Sequence, residues 1–166
     1  MKGQGFALVE QVQSDIQTLL LHATGTHAVK LKTYIVEDNA TIRENLIATL
    51  EELVGIESIG TSETEIDGKT WLTDTDTASI WDLAIVDLFL KQGSGLGVVA
   101  ACRGRSPLQK VVVLTNYATA DVRARCAQLG VDAVYDKSNE IDALIAFCLQ
   151  QCTTLSAAPK VLPELN

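Results

Sequence analysis

The sequence lacks a long hydrophobic run, an excess of basic charge and an export signal, and each absence excludes a class of protein. No apolar stretch approaches the roughly 20 residues that cross a bilayer, so we expect no membrane segment. Lys and Arg number 13 against 21 Asp and Glu, a formal net charge of −8 at pH 7. A surface of this sign repels phosphate backbones, so we expect no direct nucleic-acid binding. The chain turns polar within a few residues of Met1, unlike a secretory signal, so we expect a cytoplasmic protein.

Cysteine is also scarce, with four residues of this type among 166. Because 47% of the residues are hydrophobic, the chain can bury the core of one compact domain without the support of disulfides, and we expect free thiols. Cys148 and Cys152 lie one helical turn apart and could hold half of a metal site, but no Cys or His pair elsewhere supplies the other half. Packing in an apolar core is the better interpretation.

Five short apolar runs recur along the chain and predict strands. Most are continuous and β-branched, the pattern of strands that are covered on both faces in a parallel sheet. The segments between them have helical spacing; in one of them Ile42, Leu46, Leu50 and Leu53 form a single apolar stripe. This alternation of strands and helices predicts an α/β fold. The predicted strands cover residues 34–36, 56–59, 83–86, 111–114 and 131–135.

Two pieces of chain fall outside this repeat. Residues 1–32 have an amphipathic pattern that predicts an extra N-terminal helix, whose apolar face either packs on the domain or forms the seam of a homodimer. Residues 33–152 form the predicted domain, and the tail over residues 153–166, with its two prolines, is predicted to be loose. Within the domain, the polar segment over residues 61–80 predicts only a short or irregular helix.

Polar residues follow four of the predicted strands. Glu37 and Asp38 follow the first strand, Asp87 the third and Thr115 the fourth, and Lys137 lies just beyond the fifth. In an open parallel sheet, ligands bind beyond the carboxyl ends of the strands, where the winding direction reverses. Each residue alone is more simply a turn former, a helix cap or a solvated side chain. Their coincidence at one sheet edge favours a functional site.

Three carboxylates at one edge repel one another, and a hard divalent cation relieves that repulsion. Mg²⁺ commonly binds one or two carboxylates together with phosphate oxygens, so we expect Asp38 and Asp87 to bind it directly and Glu37 to act through a water molecule. Lys137 and Thr115 would then contact the oxygens of an incoming phosphoryl group. Phosphoryl transfer needs positioning and charge neutralisation, and Asp87 is the predicted nucleophile, which forms an acyl phosphate.

Four segments resemble the signature segments of CheY-like response-regulator receiver domains, in order and at similar spacing: YIVEDN, AIVDLFL, VVVLTN and VYDKS. The resemblance covers residues 33–152 and implies a (βα)5 doubly wound, five-stranded parallel sheet of flavodoxin-like order. It also implies that the phosphoryl group comes from a sensor histidine kinase or a phosphotransfer protein. Because the tail is too short for an output domain, we expect a stand-alone receiver that signals by altered binding to a downstream protein, and not an enzyme with a separate substrate.

The resemblance also assigns a role to each site residue, with Mg²⁺ as the cofactor. Asp87 is similar to the phosphoacceptor of the family, and Asp38 is similar to its direct metal ligand. The implied metal-binding residues are Glu37, Asp38, Asp87 and the backbone carbonyl of Phe89, and the implied phosphoryl-binding residues are Thr115 and Lys137.

The sequence departs from the family pattern at several positions around the site. Lys91 stands where the family usually has a proline. Ser138 stands where many members have a proline in a cis bond, so we expect a trans bond here. Asn116 replaces a residue that is often small. The aromatic ring that the family places at position 134 lies instead at Tyr135, which weakens the expected coupling between the phosphoryl site and a rotating ring.

Three alternatives compete with this hypothesis. A receiver-shaped interaction module that works without phosphorylation remains open, although it would not need the acidic set. A nucleotide-binding enzyme of flavodoxin type needs hydroxyls or glycines after the first strand, where this chain has EDNATIREN. A haloacid-dehalogenase-like phosphatase needs a second Asp two residues after its nucleophile, and Phe89 occupies that position.

Overall fold

One sheet of five parallel strands organises the structure, a computed structural model that describes residues 29–157. The strands are β1 (Lys32–Val36), β2 (Glu57–Ser62), β3 (Leu83–Val86), β4 (Lys110–Thr115) and β5 (Ala133–Asp136). Their spatial order is β2-β1-β3-β4-β5, so the winding direction reverses between β1 and β3. This order confirms the predicted doubly wound, flavodoxin-like α/β fold.

Helices cover both faces of the sheet. They are α1 (Ala40–Leu53), α2 (Glu65–Thr73), α3 (Gly95–Ala101), α4 (Ala120–Gln128) and α5 (Ile141–Ala157), with a 3₁₀ turn at Cys102–Gly104. The first and last helices pack on one face, and the other three pack on the opposite face. None of the helices within residues 29–157 combines the length and the apolar character of a membrane span.

The two faces of the sheet have separate apolar cores. Leu50 of α1 and Leu144 of α5 are fully buried against Ile85 of β3, while Val98 of α3 packs against Val86 on the other face. Burying each such side chain contributes about 1.5 to 3 kcal/mol. Strand β3 is buried along its whole length because it is covered on both faces, as its continuous apolar run predicts. The strand ends therefore project from a rigid support.

The segment over residues 61–80 holds only a short helix, as predicted, but it also contains the end of a strand. It contains the end of β2 and the nine-residue helix α2, whose first turn is capped by Thr64 through a 3.1 Å bond from the N–H of Asp67 to its hydroxyl. Strand β2 extends to Ser62, beyond the predicted strand, because backbone pairing with β1 supports an edge strand whose own residues are polar. The residues after Thr73 form turns.

The C-terminal helix is also longer than predicted, and this boundary is corrected. We placed the loose tail at residue 153, but α5 continues to Ala157. The hydroxyls of Thr153 and Thr154 donate to carbonyls four residues earlier. Leu155 is partly buried against the core cluster on the α1 and α5 face, so the apolar face of the helix continues. Residues 1–28 of the predicted N-terminal extension and residues 158–166 of the predicted tail lie outside the described residues.

The cysteines behave as core residues, as predicted. Cys102, Cys126 and Cys148 are buried, and all four thiols are free. Burial raises the pKa of Cys148 to about 12 and that of Cys102 to about 11. Both thiols are therefore protonated at neutral pH, which suits apolar packing and not metal binding.

Candidate functional site

The carboxyl ends of strands β1, β3 and β5 bring the predicted acidic and basic residues together at one edge of the sheet. Parallel pairing continues one residue beyond the strands, since the N–H of Asp87 donates to the last carbonyl of β1 at 2.9 Å. The N–H of Lys137 donates in the same way to the last carbonyl of β4, at 3.0 Å. Carboxylate oxygens of Glu37, Asp38 and Asp87 all lie within 4.8 Å of one another. The structure thus brings Glu37, Asp38, Asp87 and Lys137 together at one edge of the sheet, as predicted.

Lys137 is the cation of this cluster. Its Nζ lies 2.5 Å from Oε2 of Glu37 and 2.8 Å from Oδ2 of Asp87, and all three side chains are at most 10% exposed. Burial alone would lower the pKa of Lys137, but the hydrogen bonds to Asp87 and Glu37 outweigh it and hold the pKa above its usual value. The amine is therefore charged at neutral pH and offsets part of the repulsion among the carboxylates.

Asp38 is oriented by the loop that follows β3. Its Oδ2 accepts the N–H of Lys91 at 2.9 Å, a contact between positions 53 residues apart. A proline at position 91 could not make this bond because it has no N–H. In the sequence, Lys91 stands out only as a departure from the family pattern, and the absence of proline is the one signal that could have indicated this bond.

The free oxygens of the cluster suit a hard divalent cation. Oε1 of Glu37 accepts the N–H of Asn39 at 3.0 Å and Oε2 faces Lys137, so both oxygens of Glu37 already have protein partners. Among residues 29–157, Oδ1 of Asp38 accepts no protein hydrogen bond, and Oδ1 of Asp87 has a single weak contact of 3.3 Å with a backbone N–H. Two carboxylates with oxygens to spare, and a third close by, are a donor set that fits Mg²⁺.

A Lys91→Pro variant removes the N–H that orients Asp38. We expect its affinity for Mg²⁺ to fall about tenfold, because the ion must then order the carboxylate itself. Isothermal titration calorimetry with Mg²⁺ measures the change. Lys91→Ala keeps the N–H and is the matched control, so an equal loss of affinity in both variants contradicts the role given to this bond.

A cavity of about 210 Å³ opens at the carboxylates, and two aromatic side chains stand at its rim. Phe89 is 57% exposed and Tyr117 is 60% exposed, and their ring centroids are 4.9 Å apart in an edge-to-face arrangement. The pair places apolar surface directly beside the charged cluster. The cavity is lined by Glu37, Asp38, Asn39, Ile42, Asp87, Phe89, Asn116, Tyr117 and Lys137.

Thr115 lies at the end of β4 as predicted, but its side chain does not line this cavity. It is fully buried, and its Oγ1 accepts the N–H of Tyr117 at 3.3 Å. Its neighbour Asn116 occupies the cavity wall instead. The structure therefore brings the carboxylates and Lys137 together but leaves the threonine hydroxyl engaged with its own loop.

The departures near β5 have clear structural outcomes. The ring of Tyr135 packs 6.2 Å from that of Phe147 on α5, in the core on the α1 and α5 face of the sheet. Val134 points to the opposite core, against which α4 packs, so no aromatic ring of β5 faces α4. The bond between Lys137 and Ser138 is trans, as expected.

The fold and the arrangement of the strand ends place the protein in a known class. A family model described as the response regulator receiver domain matches residues 33–148, and the chain belongs to this family. The matched region extends from β1 into α5 and includes every predicted site residue.

Individual relatives agree with this assignment. The acid tolerance regulatory protein ActR of Rhizobium meliloti is 34% identical over 68 residues, and the match spans 41% of this chain but only 35% of that protein. A DNA-binding response regulator of the LuxR family from Staphylococcus aureus has a TM-score of 0.63 at 18% identity, covering 74% of this chain and 98% of that one. A response regulator from Burkholderia pseudomallei, solved with a phosphorylated aspartic acid, calcium ion and citrate, has a TM-score of 0.59 at 22% identity, covering 76% and 71%. At these identities the solved structures establish the fold alone.

Proposed function

We propose that Asp87 accepts a phosphoryl group in a Mg²⁺-dependent reaction and that the protein signals by changing which partner it binds. The observation that carries this proposal is the meeting of Asp87, Lys137 and two further carboxylates at the switch point of the sheet, in a chain that belongs to the receiver family. The reaction is a transfer onto the protein itself and not the turnover of a separate substrate by an enzyme.

The transfer uses Asp87 as the nucleophile. An oxygen of its carboxylate forms a bond to the phosphorus of a phosphohistidine, the P–N bond breaks, and its electron pair returns to the imidazole, which takes a proton from solvent. Lys137 lies 2.8 Å from the attacking carboxylate and can hold the oxygens of the arriving group. Thr115 becomes a further donor to the phosphoryl group once its hydroxyl turns from its own loop.

The metal would be held by the residues that the resemblance implies. Asp38 and Asp87 supply carboxylate oxygens, Phe89 supplies its backbone carbonyl, and Glu37, whose oxygens already have protein partners, acts through a water molecule. Mg²⁺, when bound, neutralises negative charge on the phosphoryl oxygens. The Burkholderia pseudomallei relative supports this proposal because its structure contains a phosphorylated aspartic acid together with a divalent cation.

The partners follow from the same proposal. The phosphodonor is a sensor histidine kinase or a phosphotransfer protein, and the output is a downstream protein that binds the α4, β5 and α5 face, all in the cytoplasm. The N-terminal extension can add a homodimer contact. Neither nucleic acid nor membrane is proposed as a direct partner.

Intact mass spectrometry after incubation with Mg²⁺ and acetyl phosphate tests the proposal. We expect one phosphoryl adduct with Mg²⁺, none when EDTA replaces it, and fragmentation that locates the group on Asp87. Absence of any adduct at every Mg²⁺ concentration contradicts the proposal and supports the alternative, an interaction module that works without phosphorylation.

The aromatic pair Phe89 and Tyr117 should slow the loss of the phosphoryl group. Both rings stand at the rim of the cavity, where they limit the approach of a hydrolytic water. In a Phe89→Asn, Tyr117→Ser double variant we expect dephosphorylation of Asp87 to be about tenfold faster, which corresponds to about 1.4 kcal/mol of barrier. Leu108, 66% exposed and far from this cavity, gives the matched control Leu108→Asn. An unchanged rate of adduct decay in the double variant would refute the shielding role.

A further inference from the structure

The loop between β3 and α3, residues 88–94, is held at its far end by helix α2, and we call it the acceptor loop. The N–H of Glu65 donates to the carbonyl of Gln92 at 3.1 Å. The carboxylate of the same residue accepts the N–H of Ser94 through Oε2 at 2.7 Å. Glu65 therefore contacts the acceptor loop with both its backbone and its side chain, and its side chain is only 25% exposed.

Two glycines leave the space that the Glu65 side chain occupies. A Cβ on Gly93 would lie 2.4 Å from the Cβ of Glu65, and a Cβ on Gly97 would lie 2.0 Å from its Oε1. Gly93 also has a φ of +82°, which other residues rarely adopt. Gly97 lies inside α3, where alanine would favour the helix more. Its glycine is therefore explained by the contact with Glu65 and not by the needs of the helix.

Ser94 connects this contact to the acceptor. It caps α3, since its Oγ accepts the N–H of Leu96 at 3.2 Å. The next residue, Gly95, packs so closely that a Cβ there would lie 1.9 Å from the carbonyl oxygen of Asp87, and its N–H donates to the carbonyl of Leu88 at 3.0 Å. A shift of Ser94 is therefore transmitted to the backbone that carries the Asp87 carboxylate.

We infer that Glu65 is a positioning residue for phosphoryl transfer. It fixes the end of the acceptor loop at Ser94, while the N–H of Lys91 meets the Asp38 carboxylate in the middle of the loop. The carboxylates of Glu65 and Asp38 therefore hold the acceptor loop in a chain that has no proline at position 91. The inference rests on the proposed function for its effect on phosphorylation, but the loop contact itself can be tested separately.

The first experiment compares wild type, Glu65→Ala and Glu65→Gln. In the alanine variant we expect amide hydrogen exchange at Ser94 to be about tenfold faster, because a charge-assisted bond is lost. We also expect Mg²⁺ affinity by calorimetry and the initial rate of phosphorylation by acetyl phosphate each to fall about tenfold. Glutamine keeps an acceptor oxygen, so Glu65→Gln should restore most of the Mg²⁺ affinity and most of the phosphorylation rate. Lys69→Ala, which removes only the 3.5 Å ion pair with Glu65, is the matched control and should match wild type.

The second experiment is a double-mutant cycle with Gly97→Ala. In wild type the added methyl group would lie 2.0 Å from Oε1 of Glu65, so it must displace that side chain from Ser94. We therefore expect Gly97→Ala to change the thermal midpoint less favourably in wild type than in the Glu65→Ala background, where no carboxylate stands in the way. Equal Mg²⁺ affinity and amide exchange in wild type and Glu65→Ala, or an equal effect of Gly97→Ala in both backgrounds, overturns the positioning role. A wild type that takes up no phosphoryl group contradicts the proposed function instead, and the exchange and affinity measurements distinguish the two failures.

Discussion

An Asp87→Asn variant is expected to take up no phosphoryl group from acetyl phosphate under conditions that modify wild type. The amide oxygen is a far weaker nucleophile than a carboxylate, and the substitution also removes one of the two carboxylates that have oxygens to spare for Mg²⁺. Calorimetry should therefore show weaker Mg²⁺ binding beside the loss of the adduct. The fold should persist, because asparagine can still accept the bond from the Lys137 amine.

The control for this variant is Asp121→Asn. Asp121 is exposed in the first turn of α4, away from the cavity, so its substitution should leave the yield of the adduct unchanged. If Asp87→Asn were phosphorylated as fully as wild type, the acceptor would be another residue and the assignment of Asp87 would be wrong.

A Lys137→Met variant should have the second large effect. Among residues 29–157, Lys137 is the residue that forms ion pairs with the buried carboxylates of Glu37 and Asp87, and breaking a buried ion pair in this way costs about 3 to 5 kcal/mol. Phosphorylation should also slow by about a hundredfold, since a donor aimed at the reacting oxygens is lost. Thermal unfolding without Mg²⁺ and initial rates with acetyl phosphate measure the two effects.

Added Mg²⁺ should raise the thermal midpoint of Lys137→Met more than that of wild type, because the ion then replaces the missing positive charge. Lys110→Met is the matched control: its partner Asp132 is 3.7 Å away and both side chains are partly exposed, so its loss should cost under about 1 kcal/mol. Similar destabilisation by both substitutions would contradict a special role for Lys137.

The pH dependence of wild type gives a further check on Lys137. Because its pKa is raised in the folded protein, the stabilisation is fully present below the ordinary lysine pKa of 10.5 and is lost as the pH rises through the raised value. Titration of Lys137 should therefore leave the difference in unfolding free energy between wild type and Lys137→Met unchanged through the neutral range. The difference should shrink only in strong alkali.

The sheet and the strand-end residues could be predicted from the sequence because both depend on local patterns. A continuous β-branched run such as residues 83–86 indicates a buried parallel strand, and the residue after it must lie at the carboxyl edge. For this reason Asp38, Asp87 and Lys137 were placed correctly without any knowledge of distances. The family resemblance then supplied the role of each residue, and those roles stay predictions.

The remaining features of the site depend on contacts that leave little trace in a local pattern. Asp38 meets a backbone N–H of Lys91, 53 positions away, and Glu65 meets one at Ser94, 29 positions away. A backbone donor is the same in every residue except proline, so residue type does not reveal it. Thr115 was correctly placed at the end of β4, but the direction of its hydroxyl depends on a rotamer that the sequence does not specify.

The net charge of the carboxylate cluster bears on the order in which a metal ion and a phosphodonor bind. Glu37, Asp38 and Asp87 contribute three formal negative charges and Lys137 one positive charge, which leaves two negative charges facing any phosphodonor. An anionic donor is repelled by such a surface, and a single divalent ion cancels that surplus. Under the proposed function, Mg²⁺ should therefore bind before the phosphodonor, and we expect the initial rate of phosphorylation to depend on the Mg²⁺ concentration as well as on the donor concentration.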